Sequence, residues 1–279
     1  MLDSHQHFWT TSRTDYGWLT PELGSIYRDF LPDDLRREMQ RAGIKRTILV
    51  QAAETEAETD FLLDIAAKTD FVAGVVGWLD LDSDDFESKL AHYRANPLFV
   101  GVRPMLQGLP DDDFILRPRV LKSLKAIEAA GVPFDILTFT RHLPHVLQAL
   151  QHVPRLRAVV DHISKPEIAA GQFEPWVSHM RDIAAFPNVS CKVSGMVTEA
   201  SPDWQLEDFR RYVDHVASVF GADRLMFGSD WPVCLLAASY SEVCNLARTL
   251  LSAHFDSGQL ARIFETNAAA FYGVGGQRR

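Results

Sequence analysis

An alternation constrains this chain more than any other feature. Eight short apolar runs, at residues 2–8, 47–50, 71–79, 98–105, 132–137, 157–162, 189–193 and 225–230, are each followed, directly or after a loop, by a stretch with helical spacing of its apolar residues. Runs apolar on both faces suit strands covered on both sides, the condition of a parallel sheet flanked by helices. Eight such units predict a single (β/α)8 TIM barrel. A doubly wound sheet would use similar units, but the first run lacks the GxGxxG turn of a dinucleotide fold. Pro32 at a first helical position, Asp33 and Asp34 behind it, Arg41 in the last turn and Gly43 beyond predict the first helix over Pro32 to Ala42. A long irregular loop, 9–30, precedes it and carries Trp9, Tyr16, Trp18 and Tyr27. A loop of that length is either functional or a flap packed by its own aromatics. An extra helix through 261–271 closes one expected domain, 1–274, with a frayed tail at 275–279.

Charge and cysteine content narrow the partners. A formal net charge of -9 without a Lys/Arg cluster argues against nucleic acid or an anionic membrane and leaves a small molecule. Cys191, Cys234 and Cys244 are odd in number and lack CxxC spacing, so they read as buried apolar residues of a reducing compartment. With neither a signal-peptide pattern nor an apolar run near ~18 residues, a soluble cytoplasmic protein is expected, monomer or homodimer.

In a βα barrel, chemistry sits at the C-terminal ends of the strands. The first run ends in His5-Gln6-His7, whose period-2 spacing puts two imidazoles on one face. Later ends supply Gln51, Arg103, Asp135, Asp161-His162, Lys192 and Ser229-Asp230-Trp231. His5, His7, His162 and Asp230 together make a nitrogen and carboxylate set suited to one divalent ion, zinc first. An open position on such an ion would hold an acidified water. Asp230 can instead take a proton from water and return it to a leaving group. Arg103 and Lys192 are the cations available to meet a substrate oxygen, Arg103 alternatively pairing with an acid such as Asp80 or Asp135. The remaining histidines fall on predicted helices of the outer ring.

The ordered set His5-Gln6-His7, Asp161-His162-Ile163-Ser164-Lys165-Pro166 and Phe227-Gly228-Ser229-Asp230-Trp231-Pro232 resembles the amidohydrolase superfamily. With Asp15 to Leu19 in loop one and Gly101-Val102-Arg103 on strand four, it resembles the amidohydrolase-2 branch along the whole chain. Within the branch it is most similar to sugar-acid lactonases and to 2-pyrone-4,6-dicarboxylate lactonase. The resemblance implies lactone hydrolysis with Asp230, His162 and Lys192 as catalytic groups. It also implies that Arg103, Gln51, Asp135, Trp18 and Trp231 contact substrate. His5, His7, His162 and Asp230 would line a metal or water site, the ion being weakly held or dispensable. Strand four has no lysine to carbamylate, so two bridged ions are not expected. Two alternatives remain, a metal-dependent decarboxylase of an aromatic or unsaturated acid and a non-catalytic sugar-acid-binding barrel.

Overall fold

The computed structural model describes residues 1–275, so the tail expected at 275–279 lies, but for Gly275, outside the described residues. The strands are β1 (Leu2–Gln6), β2 (Arg46–Val50), β3 (Val72–Gly77), β4 (Phe99–Val102), β5 (Phe134–Ile136), β6 (Ala158–Val160), β7 (Val189–Val193) and β8 (Leu225–Phe227). They form one sheet in the order β1 to β8, every neighbouring pair parallel. Between them run α1 (Pro32–Ala42), α2 (Glu56–Lys68), α3 (Phe86–Arg94), α4 (Pro118–Ala130), α5 (Leu143–His152), α6 (Trp176–Ala184) and α7 (Leu206–Arg224). The chain finishes with α8 (Tyr240–Leu251), α9 (Ser257–Ala261) and α10 (Asn267–Tyr272). This is the expected TIM barrel, and α1 has the expected bounds because Gly43, at φ 70°, ends it in the left-handed conformation.

The seam between β8 and β1 is closed by loop and side-chain bonds. The Asp230 amide donates to His5 O at 2.8 Å and the His7 amide to Trp231 O at 2.7 Å. Ser4 Oγ donates to Phe227 O at 2.6 Å, and Asp3 accepts from the Ser229 amide at 2.9 Å and from Tyr240 of α8 at 3.0 Å. The closing bonds thus fall on and beside the residues expected to carry the chemistry, tying His5, His7 and Asp230 to one another through the main chain.

Inside the barrel, Leu2, Ile48, Val76, Val100, Val159 and Met226 pack with Ala268, Phe271 and Tyr272 of α10. The extra helix is therefore a plug for the interior. A much larger apolar cluster joins the sheet to the outer helices, so the strands are buried on both faces as their composition requires. The three cysteines are free and buried. Among the described residues no helix is long and apolar enough to cross a membrane.

Loop 9–30 is packed down by its own aromatics. Its neck is tied by reciprocal Trp9–Phe30 backbone bonds of 3.0 Å, and Trp9 packs edge-on against Trp18 and Phe30. Trp18 donates from Nε1 to Ala52 O at 2.7 Å, which anchors the loop over the strand ends.

Candidate active site

Six of the eight strands are shorter than their apolar runs, and at three of them the difference builds the site. β1 stops at Gln6, β6 at Val160 and β8 at Phe227, leaving His7 just past its strand and His162 and Asp230 on left-handed turns. Asp230 has φ 58°, and residues 162–165 form four successive left-handed positions, with φ from 45° to 59°. Each costs a non-glycine residue about 1–2 kcal/mol, so the turn is held by its surroundings. Trp176 Nε1 donates to Ile163 O at 2.7 Å, and the Lys165 amide to His162 O at 2.8 Å.

The His162 ring lies directly against Gly195, where a Cβ would come within 2.5 Å of its atoms and where φ is 62°. Gly195→Ala is expected to cost about 1–3 kcal/mol through overpacking. Turnover should fall too, because the methyl must push His162 aside; thermal melting and kcat measured on the same preparation check both. An alanine variant with normal stability and turnover would show that the close packing is dispensable.

The imidazoles and carboxylate converge. His5 Nε2 and His7 Nε2 are 3.2 Å apart. Asp230 Oδ1 is 3.3 Å from His7 Nε2, 3.8 Å from His5 Nε2 and 3.7 Å from His162 Nε2. Burial holds the His5 imidazole well below its ordinary value, with the Lys192 charge acting the same way, and burial likewise lowers His162. Burial alone would raise Asp230, but His162, His7 and Lys165 bring it below the usual carboxylate value. At neutral pH the site therefore holds neutral His5 and His162 beside an ionised Asp230.

This arrangement fits a divalent ion. His7 Nδ1 donates to Val50 O at 2.8 Å, so in the neutral ring Nε2 turns a lone pair toward Asp230 Oδ1. Two lone pairs facing each other need a proton or a cation between them. The triangle His5 Nε2, His7 Nε2 and Asp230 Oδ1, with edges of 3.2, 3.3 and 3.8 Å, is close to the ~3.4 Å separation of ligands about 2.0–2.1 Å from a tetrahedral zinc. A second group, His5, Asp161 and His162, is also compact. Its carboxylate is already taken by Lys192 and Arg103, at 2.9 and 3.3 Å.

Above the floor lies a cavity of about 350 Å³. Its wall includes His7, Arg103, His162 and Asp230, the loop-one residues Trp18 and Leu23, and Lys165 and Glu199. That volume is at the small end for ligand pockets and suits a small molecule.

A family model described as an amidohydrolase matches residues 2–274. The chain belongs to this amidohydrolase family. It is 43% identical over 276 residues, 98% of this chain and 95% of the other, to a Burkholderia ambifaria protein named L-fucono-1,5-lactonase. A Burkholderia multivorans protein of the same name is 35% identical, with 98% and 96% of the two chains covered. A crystal structure of an amidohydrolase from Burkholderia multivorans with bound zinc superposes with a TM-score of 0.91 at 35% identity, covering 98% of each chain.

In this amidohydrolase several expected substrate contacts have other work. Lys192, Asp135, Gln51 and Trp231 do not line the cavity. Lys192 is fully buried; its ammonium donates to Asp135 at 2.6 Å and pairs with Asp161 at 2.9 Å, and it lies 3.2 Å from His5 Nδ1. Two carboxylates thus hold the ammonium beneath the site. Asp135 also accepts from Tyr272 of the plug helix at 2.7 Å, and burial raises its carboxyl to about 6. Gln51 donates to Arg103 O at 2.8 Å, and the Arg103 guanidinium donates to Gln51 O. Arg103 pairs with Asp161 and not with Asp80 or Asp135. Trp231 packs edge-on against Phe30 and Phe8, supporting loop one from below. Asp135 and Lys192 are rooted within β5 and β7 and pair inside the barrel, whereas Gln51 and Trp231 follow their strands and are taken up by Arg103 and by loop one.

Lys165 and Glu199 were not singled out from sequence, although Lys165 stands in the motif that carries the resemblance. Glu199 ends a single 3-10 turn, Val197–Glu199, after β7, too short for a sequence pattern to mark it. His142 is also more buried than an outer-ring histidine should be, because its ring accepts the Phe139 amide at 3.1 Å and closes the turn before α5.

Proposed function

We propose that residues 1–274 act as one unit that hydrolyses the cyclic ester of a sugar acid, in the cytoplasm, as a monomer or homodimer. The observation that carries the reading is an ionised Asp230 on the floor of a small cavity, beside neutral imidazoles, in a chain 43% identical to a named L-fucono-1,5-lactonase. Asp230 takes a proton from water as that water attacks the lactone carbonyl carbon. The carbonyl oxygen becomes an oxyanion that His162 and Arg103, both on the cavity wall, are placed to meet. When the intermediate collapses, the ring carbon–oxygen bond breaks and Asp230 returns its proton to the leaving alkoxide. The product is the open hydroxy acid. A zinc ion on His5, His7 and Asp230 would supply Lewis acidity to the carbonyl and lower the pKa of a bound water.

Acid release from a panel of aldono-1,4- and 1,5-lactones tests the reading, and inertness toward all of them sinks it. Carbon dioxide release from an aromatic acid, lost on chelation, would replace it with the decarboxylase. The pH dependence adds a sharper test. His5 and His162 are already neutral well below 6.5, and Asp230 stays ionised to below 3.8. A depressed carboxylate is lost as a base only when pH falls through its own pKa, so kcat should be flat from about pH 5 to 8. An acid limb near 6.5 would transfer the base role to a histidine.

A further inference from the structure

Lys165 and Glu199 stand on the cavity wall without a part in the hydrolytic step. Their side chains are 16% and 20% exposed, and Nζ lies 3.6 Å from Oε1. That is an ion pair looser than a hydrogen bond. Beyond each other they have few polar partners: the Lys165 ammonium lies 5.5 Å over the Phe139 ring, and burial raises the Glu199 carboxyl. Arg103, the other cation on the wall, already holds Asp161 and the Gln51 carbonyl and, in the lactonase reading, serves the oxyanion and not the ring hydroxyls. Most of the ammonium's donors and the carboxylate's acceptors therefore remain open to whatever fills the cavity. The chain also keeps Lys165 on the strained left-handed turn that carries His162, so one loop delivers a site histidine and this ammonium together.

A neutral polyol matches such a pair, because one hydroxyl can donate to a carboxylate while its neighbour accepts from an ammonium. We infer that Lys165 and Glu199 recognise two adjacent hydroxyls of the substrate ring and so set the enzyme's preference among lactones. This rests on the lactonase reading above. Two charged groups held less than 4 Å apart suit a vicinal diol, whereas a carboxylate-bearing ring would be drawn to Lys165 and repelled by Glu199. Apolar residues from loops one and eight, Trp18, Leu23, Val233 and Leu236, are left for the carbon–hydrogen edge of the ring.

The test compares kcat/KM for L-fucono-1,5-lactone with that for δ-valerolactone, which has the same ring and no hydroxyls, in the wild type, Glu199→Gln and Lys165→Met. The ratio of the two values is independent of how much of each preparation is folded. Each charge-assisted bond to a hydroxyl should be worth roughly 10- to 100-fold in that ratio, so each variant should lose preference for the hydroxylated lactone by about that factor. An unchanged ratio overturns the inference, whether the two activities stay the same or fall together through weaker charge on Asp230. A wild type that opens the hydroxylated lactone while the variants keep its preference defeats this inference alone. A wild type that opens neither lactone defeats the lactonase reading and this inference with it.

Discussion

Asp230→Asn should lower kcat for lactone opening by ~10²–10⁴-fold, the usual contribution of a positioned general base. Asparagine is the informative replacement for a backbone reason. Asp230 sits at φ 58°, and asparagine shares with aspartate an unusual tolerance of the left-handed region, so the turn keeps its shape and the carboxylate alone is removed. The amide cannot accept a proton from water or return one to the alkoxide. KM should change little, since the cavity wall is otherwise intact and the lost interaction belongs to the reaction step. If the His5, His7 and Asp230 triangle holds zinc, the variant should retain less of it than the wild type on metal analysis, because one corner becomes a poor ligand. Initial-rate measurements with a matched melting curve decide the matter. Undiminished turnover in a folded variant would mean that another group activates the water. A wild type that binds sugar acids and never turns over would point to the non-catalytic barrel.

Lys192→Met is expected to act on stability first, lowering it by about 3–5 kcal/mol, the range for breaking a buried ion pair on one side. Lys192 is completely buried and stands between Asp135 and Asp161, both also inaccessible. Among the described residues its removal leaves Asp135 buried with Tyr272 as its one hydrogen-bond partner, while Asp161 retains Arg103. Asp135, already raised to about 6 by burial despite Lys192, should then fold protonated. Protonation relieves part of the penalty, and the variant should become relatively more stable as pH falls toward 5. Adding Asp135→Asn to Lys192→Met removes the orphaned charge and should recover part of the loss at neutral pH. Urea midpoints for the single and double variants check this. A single variant within about 0.5 kcal/mol of wild type would show that the ionic layer contributes little to folding. Some activity should be lost as well, since Lys192 contacts His5 Nδ1 at 3.2 Å.

The relation of sequence to site differs from residue to residue. His5 and His7 were legible because a two-residue repeat on a strand has one geometric meaning, and Asp230 because an apolar run broke into a polar cluster at its end. Arg103 was found for the same reason, but its partner was not. Asp161 lies 58 residues further along the chain, and nothing local selects it over Asp135 or Asp80. Lys192 carried the opposite difficulty. A lysine at a strand end looks like an oxyanion donor, yet its depth in the barrel depends on the stagger of its neighbours and places it below His5.

Local sequence determined the alternation of strands and helices, the barrel, the ends of α1 and the residue types gathered at the strand ends. Each follows from short-range physics: backbone propensity, capping and the side-chain period of a strand or helix. Only the tertiary structure decided which polar groups face the cavity and which pair beneath it. That choice depends on how eight strands are staggered, on the left-handed turns that re-aim His162, Lys165 and Asp230, and on the plug helix that brings Tyr272 to Asp135. Those contacts join residues far apart in the chain, 223 positions between His7 and Asp230. A buried charge takes its partner from whichever elements the closed barrel brings within reach, and spacing along the chain carries no record of that distance.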